Sequence, residues 1–158
     1  MTPLLLLTLI SCKQEDKDSL LVKHESQYPE LRKKYVYQSL IRLANVNRDP
    51  EFEKLIRDVK KVILYLPPKN DSTYQIKDLR SGMRLEGYEE LVDVRSQDAL
   101  RVSLWVKETN FKSHYLALLD SEIADYVLEI DGEIHLEYLT SIKLADQESL
   151  LGLLKGGF

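Results

Sequence analysis

The sequence is poor in the residues from which several kinds of site are built. Its 158 residues include one cysteine, three histidines and six glycines. A single cysteine excludes an internal disulfide framework and a zinc site made of several cysteines. The glycines are scattered except for a pair near the C-terminal end, so no glycine-rich phosphate-binding loop is indicated. Basic residues are not in excess: 22 Lys and Arg against 26 Asp and Glu give a net charge of −4, which argues against a nucleic-acid partner.

Long apolar segments are also lacking. The apolar run at residues 4–10 is far shorter than the roughly 20 residues that a membrane-crossing helix needs, but it suits the core of a secretory signal peptide. The residues Leu9-Ile10-Ser11-Cys12 resemble the bacterial lipobox, in which cleavage between Ser11 and Cys12 exposes a cysteine that receives lipid, including palmitate. Two or three acyl chains on one residue hold a protein stably on a membrane. We therefore expect Cys12 to be the membrane anchor.

Two observations keep an alternative open for this N-terminal segment. A cytosolic protein could begin with an apolar helix or strand in which Cys12 is buried, although an amphipathic helix would have polar gaps in the run. In addition, no Lys or Arg precedes the run, whereas a signal peptide normally begins with positive charge. On the signal-peptide interpretation we expect the true start to lie a few codons upstream of Met1.

The chain divides into three parts on this interpretation. Residues 1–11 are the signal peptide, residues 12–28 are the lipidated cysteine and a flexible tether, and residues 29–158 are a single domain. The tether is polar from Lys13 to Ser19 and buries too little apolar surface to order itself. Lys13 and the acidic residues after it form either a solvated linker or an export signal similar to those of some Bacteroidetes lipoproteins.

The first half of the domain is predicted to contain two helices and a strand. Asp49 and Pro50 form a helix start, with Asp as the N-cap. The apolar residues after it lie at helical spacing: Phe52, Leu55, Ile56 and Val59. A strand follows at residues 59–66. Ser72 and Gln75 match a capping box for a second helix, which is expected to end at Gly87. The core face of this second helix consists of Ile76, Leu79 and Met83.

The second half is predicted to be mostly strands. Four segments have strand character: residues 88–95, 100–107, 112–119 and 124–130. Asp131-Gly132 indicates a turn, after which residues 133–139 are either a fifth strand or the entry to a short helix. Asp146 then caps a last helix. The sum is an α+β fold: a mostly antiparallel sheet of four to six strands with helices packed on one face.

The order of these elements carries a family resemblance. Tyr88-Glu89-Glu90-Leu91-Val92-Asp93-Val94 after a glycine, and later residues 126–134 (YVLEIDGEI), resemble the domain of unknown function 4252 family. Residues 37–43 and 59–62 are similar to its first helix and strand, so the resemblance covers about residues 30–142. It implies a predicted Bacteroidetes lipoprotein, and it supplies no catalytic residue, ligand or cofactor. Members of that family are often encoded near sigma-factor and anti-sigma genes, so the resemblance implies envelope signalling by association only.

The search for catalytic residues yields one weak group. His24, His114 and His135 lack the spacing of a metal site, and neither a serine-nucleophile motif nor a cofactor motif is present. If this segment is a strand, His135 shares a face with Glu133 and Glu137. The three side chains then form either a weak acid-base cluster or an ordinary solvent-exposed strand edge. We therefore predict a protein that is not an enzyme and that takes no metal or cofactor. A hydrolase that uses His135 with Glu133 or Glu137 is the enzymatic alternative to this prediction.

A candidate binding surface lies on the strand at residues 100–107. By alternation, Trp105 shares a side with Arg101, Ser103 and Lys107. Arg101, Trp105 and Lys107 form a partner-binding patch if this side is open, and Trp105 is simply packing if a helix covers it. The nine tyrosines are interpreted mainly as strand residues, with a binding surface as the alternative.

The leading functional hypothesis is therefore a non-enzymatic lipoprotein of the cell envelope. It would be held by the lipid on Cys12 at the outer membrane, on its periplasmic or its outer side. Its domain would bind an unknown envelope protein or support the envelope. The alternative is a regulatory or sensor component of an envelope sigma/anti-sigma stress pathway.

Overall fold

The computed structural model describes residues 20–43, 45, 48–68, 74–95, 100–109, 112–121 and 125–141. These residues contain four α-helices: α1 (Leu20–Gln27), α2 (Gln38–Leu43), α3 (Pro50–Leu55) and α4 (Lys77–Leu85). They also contain six strands: β1 (Arg32–Tyr37), β2 (Asp58–Leu66), β3 (Glu89–Arg95), β4 (Arg101–Glu108), β5 (Ser113–Asp120) and β6 (Tyr126–Glu133). A 3₁₀ helix follows at Leu136–Ser141.

The six strands form one sheet in the order β1-β2-β6-β5-β4-β3, and every neighbouring pair is antiparallel. This confirms the α+β prediction with its antiparallel sheet. The four strands predicted in the second half are present with boundaries shifted by one to three residues. Strands β1 and β3 are the edges among the described strands, so each pairs on one side only.

Helices cover both faces of the sheet, which corrects the expectation of helices on one face. On the front face, α1 and α4 pack on buried strand residues: Tyr65, Trp105, Leu116, Leu118 and Val127. On the back face, residues of α3 and its C-terminal end pack with Val59, Leu104, Val106, Tyr115 and Ile134. The single-face expectation failed because the polar residues of β4 made its front side look exposed, whereas Ser103 is fully buried there.

Helix α3 begins as predicted. The side chain of Asp49 accepts hydrogen bonds from the backbone N–H groups of Glu51 (2.8 Å) and Phe52 (3.5 Å). Such a cap satisfies donors that the first helical turn leaves without intrahelical partners. The helix ends at Leu55, earlier than the apolar spacing indicated, but Ile56 is still buried in the back-face core.

Helix α4 ends as predicted at Gly87, which has a φ of +82°. The N–H of Tyr88 donates to the carbonyl of Met83 (2.9 Å), and the N–H of Gly87 donates to that of Arg84 (3.3 Å). This pair of bonds is the Schellman arrangement, which needs a left-handed residue and therefore favours glycine. The predicted core residues of the helix, Ile76, Leu79 and Met83, are buried. Ser72 of the expected capping box lies outside the described residues, and Ile76 occupies the N-cap without a side-chain bond.

The predicted tether is corrected at its C-terminal end. Residues 20–27 form α1, and its Leu21 and His24 are 6% and 5% exposed. Leu20 lies against Gly82 of α4, where a side chain on residue 82 would meet it. Because α1 contributes to the front-face core, the folded domain includes this helix and does not begin at residue 29. Residues 12–19 lie outside the described residues.

The segment around Gly132 is a strand and not the predicted turn. Strand β6 continues through Asp131 and Gly132 to Glu133, opposite a bulge in β2 between Val59 and Lys61. Gly132 has a φ of +125°, and a Cβ there would lie 2.8 Å from the Cα of Val59. Glycine is therefore required by backbone packing and not by chain reversal. Of the two alternatives for residues 133–139, the short helix is present as the 3₁₀ helix, while the helix after Asp146 lies outside the described residues.

Candidate functional site

Four polar side chains form a continuous hydrogen-bonded network on the front face. The hydroxyl of Tyr65 donates to Oε2 of Glu129 (2.9 Å), and Oε1 of Glu129 lies 2.9 Å from Nε2 of His114. Nδ1 of His114 lies 2.6 Å from the hydroxyl of Tyr88. We call these four residues the Tyr–Glu–His–Tyr network.

The sheet register brings these residues together. Glu129 of β6 pairs with Ile63 of β2 and with Leu116 of β5. Tyr65 and His114 are therefore its diagonal neighbours on the two flanking strands, a separation that long side chains can bridge. Tyr88 precedes β3 and reaches His114 from the end of α4, where the Gly87 cap redirects the chain.

Burial and hydrogen bonding determine which groups of the network are protonated at neutral pH. Tyr65 and Tyr88 are 2% and 8% exposed, and burial, together with nearby carboxylates, raises the pKa of both phenols. Burial by itself would raise the pKa of Glu129, but its hydrogen bonds from His114 and Tyr65 outweigh it and the pKa of Glu129 is lowered. At neutral pH the tyrosines are therefore donors and Glu129 is an acceptor. Because Glu129 can only accept, Nε2–H of His114 donates to it, and Nδ1 of His114 shares a hydrogen bond with the Tyr88 hydroxyl.

These hydrogen bonds hold the side chains of Glu129 and His114 in position, but they do not prepare a nucleophile for catalysis. A carboxylate that orients an imidazole resembles the geometry of a catalytic triad, in which the other ring nitrogen takes a proton from a nucleophile. Here that position is occupied by the Tyr88 hydroxyl, whose raised pKa makes it a poor nucleophile. The network therefore fixes Glu129 and His114 in place, each with about a quarter to a third of its side chain exposed.

Glu129 and His114 were not predicted as a pair. Each lies on a strand whose period was identified, but their contact depends on the register between β5 and β6, which no local pattern reveals. One signal was present: Glu129 is a charged residue placed between the apolar residues Leu128 and Ile130 of a strand. A charge in such a position is usually paired when the strand is half-buried.

His135 lies in a second group, with one of its two predicted partners, Glu137, and with Asp58, which was not predicted. Its Nε2 is 2.6 Å from Oδ2 of Asp58 and its Nδ1 is 3.4 Å from Oε1 of Glu137. The hydrogen bond from His135 lowers the pKa of Asp58. Glu133 instead lines a neighbouring polar groove of about 700 Å³, together with Asp58, and His135 is not part of that lining.

The groove combines acidic and basic side chains. Its lining consists of Asp58, Lys60, Glu108, Thr109, Lys112, Ser113, Asp131, Gly132 and Glu133. Lys112 and Asp131 are already paired at 2.6 Å, and this hydrogen bond lowers the pKa of Asp131. Within the described part of the chain, no three His, Cys, Asp or Glu side chains are arranged to hold a metal ion.

The predicted patch of Arg101, Trp105 and Lys107 is not an exposed surface at Trp105. The indole is 1% exposed, and its Nε1–H donates to Oγ of Ser103 (3.0 Å). Trp105 is therefore packing beneath α4, which was the alternative stated for it. Arg101 is bound to Asp93 through two hydrogen bonds of 2.8 and 2.6 Å. Lys107 lies 5.5 Å from the centre of the Tyr88 ring.

The tyrosines divide between the core and the surface. Four are buried: Tyr65, Tyr74, Tyr88 and Tyr115. Tyr35 and Tyr37 on β1 are 51% and 59% exposed, and Lys61 lies 5.9 Å from the centre of the Tyr35 ring. Both alternatives for the tyrosines are thus represented at different positions.

The predicted anchor, Ser11 and Cys12, lies outside the described residues. Among the helices that the structure describes, none has the length and apolar character needed to cross a membrane. No protein-family model, curated protein or solved structure matches this chain. The resemblance to the domain of unknown function 4252 family therefore stays a prediction.

Proposed function

We propose that this protein is a non-enzymatic lipoprotein of the cell envelope whose α+β domain binds another protein at the membrane surface. The observation that carries the proposal is the sequence Leu9-Ile10-Ser11-Cys12, which follows an apolar run and precedes a charged segment. Lipid on Cys12 would hold the domain at the outer membrane. The resemblance to a family of predicted lipoproteins supports the same location.

Two features of the domain favour binding over catalysis. In the Tyr–Glu–His–Tyr network, the group next to the imidazole is a phenol with a raised pKa, which suits a structural role. In contrast, Tyr35 and Tyr37 expose large amphipathic surfaces on an edge strand. Tyrosine is common in protein interfaces because it contributes contact area at a low cost in conformational entropy.

The proposal is tested by lipid labelling and fractionation. Cells producing the wild-type chain or the Cys12→Ser variant are grown with labelled palmitate, and their membranes are separated. The wild type should carry label and sediment with the outer membrane, while the variant should carry none and leave the membrane fraction. Ser11→Ala, which keeps a small residue before the cysteine, is the matched control and should behave as the wild type. An unlabelled wild-type chain, or a variant that stays in the membrane, contradicts the proposal.

A further inference from the structure

The two edge strands of the sheet carry opposite charge. Strand β1 has the sequence RKKYVY, with three basic and no acidic residues. Strand β3 has the sequence EELVDVR, with three acidic residues and one arginine. Because the whole chain is acidic, with a net charge of −4, the basic edge is not a consequence of composition. Among the described strands, β1 and β3 each have one side on which the backbone N–H and C=O groups pair with no other strand.

Part of this edge charge has no use within the fold. Among residues 20–43, 45, 48–68, 74–95, 100–109, 112–121 and 125–141, no ion pair involves Arg32, Lys34 or Glu89. The same edges expose apolar surface, since Tyr35 and Tyr37 on β1 are 51% and 59% exposed and Leu91 on β3 is 36% exposed. Opposite charge and exposed apolar area on the two edges are the elements of a complementary interface.

The directions of the strands allow these edges to meet. Since all five strand pairs are antiparallel, β1 and β3 run in opposite directions within one molecule. A second copy in the same orientation therefore places its β1 antiparallel to β3 of the first copy. The antiparallel order of the strands then continues from one copy into the next.

The side chains on each face also match. Lys34 and Glu89 both point to the back face, because they pair with Leu64 and Val106 of the neighbouring strands. Lys33 and Glu90 both point to the front face, because they pair with Tyr65 and Trp105. One register thus sets residues 32–34 of β1 opposite residues 91–89 of β3, and Lys34 and Glu89 form a cross-strand pair of opposite charge in it. Lys33 and Glu90 also face each other in this register, and each has a partner within its own molecule, Glu25 and Arg84.

We propose that copies of this protein assemble edge to edge, with β1 of one copy adding to β3 of the next in that register. Like charges disfavour the pairing of two β1 edges or of two β3 edges, so the charges select the head-to-tail contact. Such a contact is heterologous and leaves one β1 and one β3 edge free at the ends of each assembly. This interface goes beyond the proposed function and does not require that lipid be attached.

A charge exchange at Lys34 and Glu89 tests the interface. The full chain with Cys12→Ser, which cannot receive lipid, is purified in detergent, and its mass is measured by light scattering over a range of concentrations. The starting chain should show a mass that rises with concentration and falls as salt is added. Lys34→Glu and Glu89→Lys should each weaken association roughly tenfold or more, because like charges then face each other. The chain with both changes should associate again.

Matched controls separate this interface from non-specific charge effects. Lys60→Glu and Glu53→Lys make the same charge changes on the interior strand β2 and on helix α3, and both should associate as the starting chain does. Circular dichroism establishes that each variant is folded. Where a reversal unfolds the chain, Lys34→Gln and Glu89→Gln replace it and should weaken association to a smaller extent.

Three results overturn the inference: a starting chain that is monomeric at every concentration, single reversals that associate unchanged, or a double variant that does not recover. Because every chain in this experiment lacks Cys12, failure of lipid attachment in the test of the proposed function would not alter these results.

Discussion

Replacing Glu129 by leucine should reveal how strongly the Tyr–Glu–His–Tyr network stabilises the sheet. The substitution removes both acceptor oxygens while keeping apolar bulk. The hydroxyl of Tyr65, which is 2% exposed, then loses the carboxylate to which it donates and keeps only Glu25 as a nearby acceptor. A hydrogen bond to a charged group contributes about 1.5–3 kcal/mol, whereas the more exposed His114 can turn to water. We therefore expect Glu129→Leu to lower the free energy of unfolding by about 2 kcal/mol.

A double-mutant cycle separates this cost from a general effect of the substitution. Tyr65→Phe alone should cost about 1 kcal/mol, since it removes one donor and leaves Glu129 bound to His114. In the Glu129→Leu background Tyr65 no longer donates to residue 129, so the same change should cost less. The two changes should therefore be non-additive by up to about 1 kcal/mol in urea unfolding. Glu133→Gln on the exposed end of β6 is the control and should change stability by less than about 0.5 kcal/mol.

The same variant gives a pH dependence with a defined sign. Because the pKa of Glu129 is lowered in the folded protein, its ionised form contributes stability above the unfolded-state pKa of about 4.3. That contribution is lost as pH falls through the folded pKa. The difference in stability between wild type and Glu129→Leu should therefore shrink below about pH 4.3. Additive cycle energies, together with a difference that does not depend on pH, would refute the role given to the network.

Three further predictions concern the fold. Gly132→Ala should cost about 3 kcal/mol or more in urea unfolding, because its φ is +125° and a Cβ would collide with Val59. Gly87→Ala, also at positive φ but with open space around it, should cost less. Asp49→Ala should cost about 1 kcal/mol, while Asp49→Ser should retain the cap. Burial lowers the pKa of His24, so stability should fall as pH drops below about 6.5, and His24→Phe should flatten that dependence in thermal unfolding at several pH values.

The parts of the fold that depend on local chemistry were predictable from the sequence. The Asp49 cap, the buried face of α4 and its stop at Gly87 each depend on residues within a few positions of one another. The strands of the second half were found because alternation is a local signal. Strand β1 was not found, since its first three residues are all basic and hide the alternation. Helix α1 was not found either, because its order comes from packing against α4.

The candidate site depended on information that the sequence does not contain locally. His114 and Glu129 meet through a diagonal contact between strands, and a shift of one residue would have separated their side chains onto opposite faces. Trp105 was assigned to a polar side by alternation, but Ser103 on that side accepts its indole N–H inside the core. A polar residue in a strand therefore indicates exposure only when its buried partners are known.

The position of α1 gives the proposed anchor a geometric consequence. If Cys12 carries lipid, only residues 13–19 separate it from Leu20 at the start of the folded domain. Seven residues span at most about 25 Å even when fully extended. The domain would then stay close to the membrane surface, where all copies share one plane and one side. Such confinement raises the effective concentration of the β1 and β3 edges and favours the common orientation that their antiparallel pairing requires.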